Sequence, residues 1–160
     1  MISNDLHRAA DACAPCPVCG GDAFTYRDVL PPELVAQWDL SPAERAYVDL
    51  QQGLACRTCG SNLRAMTLAD AILRVFDAPV STTLSVLTAS MAWHGLSLLE
   101  VNPAASLTPF FARTHGHVLT SYPSVDLHAL PYHDASFDLV VHSDTLEHVV
   151  DPLRALVECR

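Results

Sequence analysis

Two short cysteine turns constrain this chain more than anything else in it. Cys16-Pro17-Val18-Cys19-Gly20 and Cys56-Arg57-Thr58-Cys59-Gly60 repeat one C-x-x-C-G pattern, with 36 residues between Cys19 and Cys56. Two residues between cysteines let both sulfurs of a tight turn face one point, and the glycine lets the turn backbone approach the sulfurs closely. Two such turns supply four thiolates, the number and softness that tetrahedral zinc requires. Cys16, Cys19, Cys56 and Cys59 are therefore the expected zinc ligands. Four protein ligands leave no position for water, so the expected zinc is structural rather than catalytic. A redox dithiol and disulfides are the competing readings. A redox motif carries one C-x-x-C beside a βαβ unit, so two copies, each followed by glycine, suit a metal better. Cys13 is a fifth thiol, three residues before Cys16, and the sequence leaves open whether it is free or competes as a ligand.

The compartment supports the metal. Met1-Ile2-Ser3-Asn4-Asp5 has neither the basic nor the apolar region of a secretory signal. The longest low-charge run, 78–99, is interrupted throughout by Ser, Thr, His and Gly, which argues against a membrane span. A reducing cytoplasm is the expected location, and cysteines there serve metals more than disulfides. All 9 basic residues are arginine, none adjoins another, and 18 acidic residues set the net charge at −9. Nucleic-acid backbones are bound by clustered cations, so nucleic acid is an unfavourable partner. Hydrophobic residues make up 50% of the chain, enough for a packed core and against general disorder.

Three parts follow from the pattern: a zinc ribbon with a helical insertion over 12–60, a connecting helix over 61–77, and an α/β segment over 78–160. Ser41-Pro42-Ala43-Glu44 is a helix start with a cap, a first-turn proline and a glutamate that reaches back. Ala46, Val48 and Leu50 are the expected buried side of that helix, and Gln52-Gly53 ends it. A short strand at Leu54-Ala55 delivers Cys56. Leu63, Met66, Ile72, Leu73 and Phe76 have helical spacing, which predicts a helix over 62–77. The runs 96–101, 117–120 and 137–142 read as strands, with a helix over 103–113 that Pro109 weakens. Asp151-Pro152 opens a last helix with Leu153, Leu156 and Val157 on one face. Strands alternating with helices imply a parallel sheet. Trp38 and Trp93 read as packing residues.

Residues 130–149, LPYHDASFDLVVHSDTLEHV, closely resemble a class I S-adenosylmethionine-dependent methyltransferase of the type 11 branch, where an L-P-F-x-D-x-S-F-D-x-V segment precedes D-x-L-E-H-V. The resemblance spans about residues 96–160. It implies a partial Rossmann-like parallel sheet and S-adenosylmethionine as cofactor. Leu98-Leu99-Glu100-Val101 matches the first strand, whose acid positions the cofactor loop, so Glu100, Asn102 and Ala104 are expected at the cofactor. Asp126 matches the acid near the adenine amino group, and Leu127 the backbone amide at the adenine ring. His142, Ser143 and Asp144 match the strand end beside the methionine part and the substrate entrance. His142 and Asp144 are also the general-base candidates, because α/β sites lie at the carboxyl ends of strands. His148 reads as structural. Six of the eight histidines fall within 115–148, without the spacing of a second metal site.

The departures are specific. Asn102-Pro103-Ala104-Ala105-Ser106 stands where the family has a glycine-rich loop. Ser121-Tyr122-Pro123 stands where an acid usually binds the ribose hydroxyls. Only 29 residues separate Glu100 from Leu130, so a helix and a strand are expected to be shortened or absent. A second register keeps open the reading of Glu100 as the ribose acid, with the first strand near Thr83–Leu87. The chain stops inside the helix after the Phe137 strand, so it is read as the N-terminal part of a methyltransferase, inactive by itself. The alternative is a non-enzymatic zinc-ribbon binding module with a degenerate methyltransferase-like segment. The methyl acceptor is expected to be a small molecule rather than nucleic acid, and the sequence leaves its identity and the oligomeric state open.

Overall fold

The computed structural model describes residues 14–160; Cys13 and the N-terminal residues read above lie outside the described residues. The chain divides into two compact units, one ending at Leu84 and one beginning at Ser85.

In the first unit, β1 (Phe24–Thr25) is followed by α1 (Pro32–Gln37) and α2 (Pro42–Gly53). The Ser41 signal works as read: Ser41 Oγ accepts the Glu44 amide at 3.3 Å, and the Glu44 carboxylate accepts the Ser41 amide at 2.8 Å. Such a cap contributes about 1 kcal/mol. The inward side of α2 differs from expectation. Ala46, Val48 and Leu50 are only half-buried, and the buried residues are Asp49 and the terminal Gly53. Asp49 Oδ1 accepts the Val29 and Leu30 amides at 2.7 and 3.1 Å, and Oδ2 accepts Arg45 Nε at 3.3 Å. A carboxylate is tolerated inside when donors replace its water, and apolar periodicity does not register that.

β2 (Ala55–Cys56) pairs antiparallel with β1, Phe24 opposite Cys56. α3 (Leu63–Val75) starts at Asn62, whose side chain accepts the Ala65 amide at 3.0 Å. It buries Ala65, Met66, Ala69, Ile72 and Leu73, the stripe that its 3.6-residue spacing predicts, and α2 packs on it. The helix expected to connect the two parts therefore forms inside the first unit. Trp38 is 58% exposed, so it does not have the packing role expected of it.

The second unit carries the sheet. α4 (Leu84–Leu87) begins where the first unit ends, and α5 (Met91–His94) leads to β3 (Ser97–Val101). A single 3-10 turn (Ala105–Leu107) and α6 (Thr108–Phe111) precede β4 (Gly116–Thr120). β5 (Leu139–His142), a 3-10 turn (Leu146–His148) and α7 (Pro152–Glu158) complete it. The strand order is β4-β3-β5, all parallel, with Glu100 beside Leu119 on one neighbour and Val141 on the other. Leu98, Leu99, Glu100 and Val101 are all buried, as a central parallel strand requires. Trp93 is buried against Phe111, ring centroids 6.2 Å apart.

Leu84–Leu87 is helical and Ser97–Val101 is the central strand, which removes the second register. Three expectations need correction. The helix read over 103–113 is a 3-10 turn plus one α turn, and Pro109 starts that turn instead of weakening its middle. β5 begins at Leu139 rather than Phe137, because Asp138 turns back to Ser97, its amide donating to the Ser97 carbonyl and its carboxylate accepting the Ser97 amide, both at 2.8 Å. The apolar face of α7 points outward: Leu153 and Val157 are 75% and 72% exposed, and Ala155 is the buried residue. Between β4 and β5 the described residues form one isolated bridge, Asp126 to Ala129, and no strand. No helix among the described residues is long and apolar enough to cross a membrane.

Candidate functional site

The four sulfurs meet in the first unit. Two near-identical turns place them: the Gly20 amide donates to the Cys16 carbonyl at 2.7 Å, and the Gly60 amide to the Cys56 carbonyl at 2.9 Å. Gly20 and Gly60 sit at φ of 81° and 74°, a conformation that disfavours side chains, which is why each turn ends in glycine. Cys16 Sγ lies 3.8 Å from Cys59 Sγ, Cys19 Sγ lies 3.6 Å from Cys56 Sγ, and all four fall within 4.8 Å of one another. A zinc–sulfur bond of about 2.3 Å places tetrahedral sulfurs about 3.8 Å apart, so the geometry fits that ion. All four cysteines are unpaired. Burial pushes the Cys16 and Cys19 thiols up, and the neighbouring Cys59 thiol adds to the rise. Burial also raises Cys56, but the Cys59 and Thr58 amides and the Cys19 thiol outweigh it and bring Cys56 down to about 7. One thiolate is thus readily formed, and the crowding of the others calls for a cation.

The second site lies at the carboxyl ends of the parallel strands. A cavity of about 370 Å³ is lined by Val101 and Asn102 from the end of β3, by Tyr122, Asp126, Leu127 and His128 from the β4–β5 segment, and by Thr145 and His148 after β5. That volume falls in the small-molecule range of about 300–1,000 Å³. Asn102 ties two of these segments together: its amide donates to the Thr120 carbonyl at 2.8 Å and its Nδ2 to Thr145 Oγ1 at 3.2 Å.

Glu100 acts from beneath. Its side chain is wholly buried. Oε1 accepts the Ala104 amide at 2.7 Å and the Thr108 hydroxyl at 2.6 Å, and Oε2 meets His117 Nε2 at 2.8 Å. The carboxylate therefore shapes the loop after β3 and does not line the cavity. The loop itself keeps a glycine-like backbone without glycine, since Asn102 and Ala105 have φ of 61° and 50°. Asn tolerates that region, whereas alanine there is strained by about 1 kcal/mol. Ala105→Gly is accordingly expected to stabilise the second unit by about that amount, read as a higher denaturation midpoint with an unchanged slope.

Of the residues expected at the cofactor, Asn102, Asp126 and Leu127 line the cavity; Glu100, Ala104, His142 and Ser143 do not. Neither does Asp144, which is exposed with φ of 51°. His142 is half-buried, and that burial holds its imidazole below the ordinary histidine value against the opposing pull of Glu147. His148, read as structural, is at the cavity wall. Asp126 has its carboxyl lowered by the His128 amide and then by the His128 ring. The sequence reading gave no site role to His117, Thr145, Tyr122 or His128. His117 had a signal: a strand glutamate needs a donor when buried, and His117 is the polar residue on the same face of the neighbouring strand.

A family model described as a methyltransferase domain matches residues 80–160. No curated protein and no solved structure matches the chain. The matched span is just over half of the 160 residues and contains all three parallel strands. The chain therefore belongs to the methyltransferase domain family, in its class I, type 11 branch.

Proposed function

We propose that the second unit binds S-adenosylmethionine in the cavity at the strand ends and directs its methyl group to a small-molecule acceptor, while the first unit holds a structural zinc ion through Cys16, Cys19, Cys56 and Cys59. The observation that carries the reading is the convergence of Asn102, Asp126 and Leu127, from loops after two parallel strands, on one cavity within the matched family span. When bound, the cofactor supplies an electrophilic methyl group on a sulfonium. Asp126 offers a carboxylate to the adenine amine. Its hydrogen bonds within the protein fall on Oδ1, and Oδ2 has no partner among the described residues. Leu127, nearly buried, offers apolar surface and a main chain beside the ring. Asn102 and Thr145 hold the loops that face the rest of the nucleoside.

Such a transfer needs no obligatory base. In-line displacement is served by positioning and by exclusion of water, which a half-enclosed crevice provides. His142 and Asp144 remain the base candidates at the end of β5, and His148 joins them from the cavity wall. The dispersed arginines and the net charge of −9 favour a small acceptor over nucleic acid, and a cytoplasmic location accords with four unpaired cysteines.

Calorimetric titration with S-adenosylhomocysteine tests the reading. Wild type should bind, and Asp126→Ala should bind roughly ten- to hundredfold more weakly, the loss of one charge-assisted hydrogen bond. Equal binding by both would remove Asp126 from the site. A wild-type chain that carries zinc and binds no nucleoside would favour the non-enzymatic binding module instead.

A further inference from the structure

His128 is tied on three sides. Asp126 Oδ1 accepts the His128 backbone amide at 2.9 Å and meets the ring Nδ1 at 2.8 Å. On the far side of the ring, the Asp151 backbone amide donates to Nε2 at 3.1 Å. The His128 carbonyl accepts Arg154 Nε at 3.0 Å. A backbone N–H only donates, so Nε2 must present its lone pair. The ring is then neutral, the proton sits on Nδ1, and Nδ1–H donates to Asp126. The two nitrogens thus serve different structures: Nδ1 the cavity carboxylate, Nε2 the first turn of α7. The His128 side chain is 19% exposed and that of Asp126 58%, so the ring is the fixed partner and the carboxylate the freer one.

We propose that His128 is a positioning residue for the cofactor, its Nδ1–H fixing Asp126 so that Oδ2 is presented to an exocyclic purine amine, while Nε2 separately holds α7. The proposal rests on the S-adenosylmethionine reading above. An exposed carboxylate occupies several rotamers, and two donors on one oxygen remove that freedom before a ligand arrives, which lowers the ordering cost of binding.

The division of labour between the nitrogens can be tested on the full chain with three variants, measuring S-adenosylhomocysteine affinity and thermal melting. His128→Asn keeps a donor at the Nδ1 position and falls short of Asp151. His128→Gln reaches Asp151 with its carbonyl and lacks the inner donor. His128→Phe has neither. The expected result is crossed: Asn binds like wild type and melts lower, Gln melts like wild type and binds about tenfold more weakly, and Phe shows both losses. Asn losing as much affinity as Phe, or Gln binding like wild type, overturns the positioning role while wild-type binding still stands. A wild type that binds no nucleoside overturns the cofactor reading, and this assignment with it.

Discussion

Cys56→Ser is expected to abolish zinc uptake and the cooperative unfolding of the first unit. Cys56 is both a ligand and a strand residue, paired with Phe24 and almost fully buried. Structural zinc in comparable small sites contributes about 10–16 kcal/mol, as large as the roughly 5–15 kcal/mol that a whole domain retains. Elemental analysis should find one zinc per wild-type chain and none in the variant, and circular dichroism should show the melting transition of the first unit lost. Wild-type protein without zinc, its four thiols freely titratable, would refute the site. Acid should act in the same direction as the substitution. Zinc binds thiolates, and with Cys56 near 7 and Cys16 pushed up, falling pH makes protons the stronger competitor.

Glu100→Ala is expected to cost the second unit about 3–5 kcal/mol, because it leaves the Ala104 amide, the Thr108 hydroxyl and the His117 ring without their shared acceptor in a buried place. Glu100→Gln should be far milder. Its carbonyl can still accept two donors, and its amide can donate to Nε2 of the other His117 tautomer. Guanidinium unfolding in a Trp38→Phe background reports this unit alone, since Trp93 is then the remaining tryptophan. An alanine variant as stable as wild type would show that the carboxylate is not the hub of the loop.

The clustering of the four cysteines and the parallel sheet were legible because each rests on local rules. A C-x-x-C-G turn needs only five residues to place two sulfurs, and the run 98–101 is apolar enough to mark a central strand. The Ser41 cap was legible for the same reason. What was not legible depends on long-range hydrogen bonds. Asp49 is buried by donors from residues 29, 30 and 45, and no periodicity announces that. β5 loses its first two residues because Asp138 bonds to Ser97, 41 positions away. The loop after β3 looked defective because glycine was taken as the sign of its shape. The shape is instead held by the Glu100 carboxylate and the Asn102 amide, with alanine and asparagine accepting the positive φ. The tie between the His128 ring and the start of α7 was hidden because its partner, Asp151, lies 23 residues on.

The outward apolar face of α7 has a consequence for how that helix is held. Burial secures it only along a thin line through Ala155 and Cys159, while Val150, Leu153 and Val157 stay in water. Three polar pins supply the rest: Asp151 to the His128 ring, Arg154 to the His128 carbonyl, and the Glu158 carboxylate to the Leu130 amide at 3.0 Å. All three end in the 128–130 stretch that continues the cavity wall. The last helix is therefore fastened to the 128–130 stretch by polar contacts and to the β3 core through Ala155 alone among its buried residues.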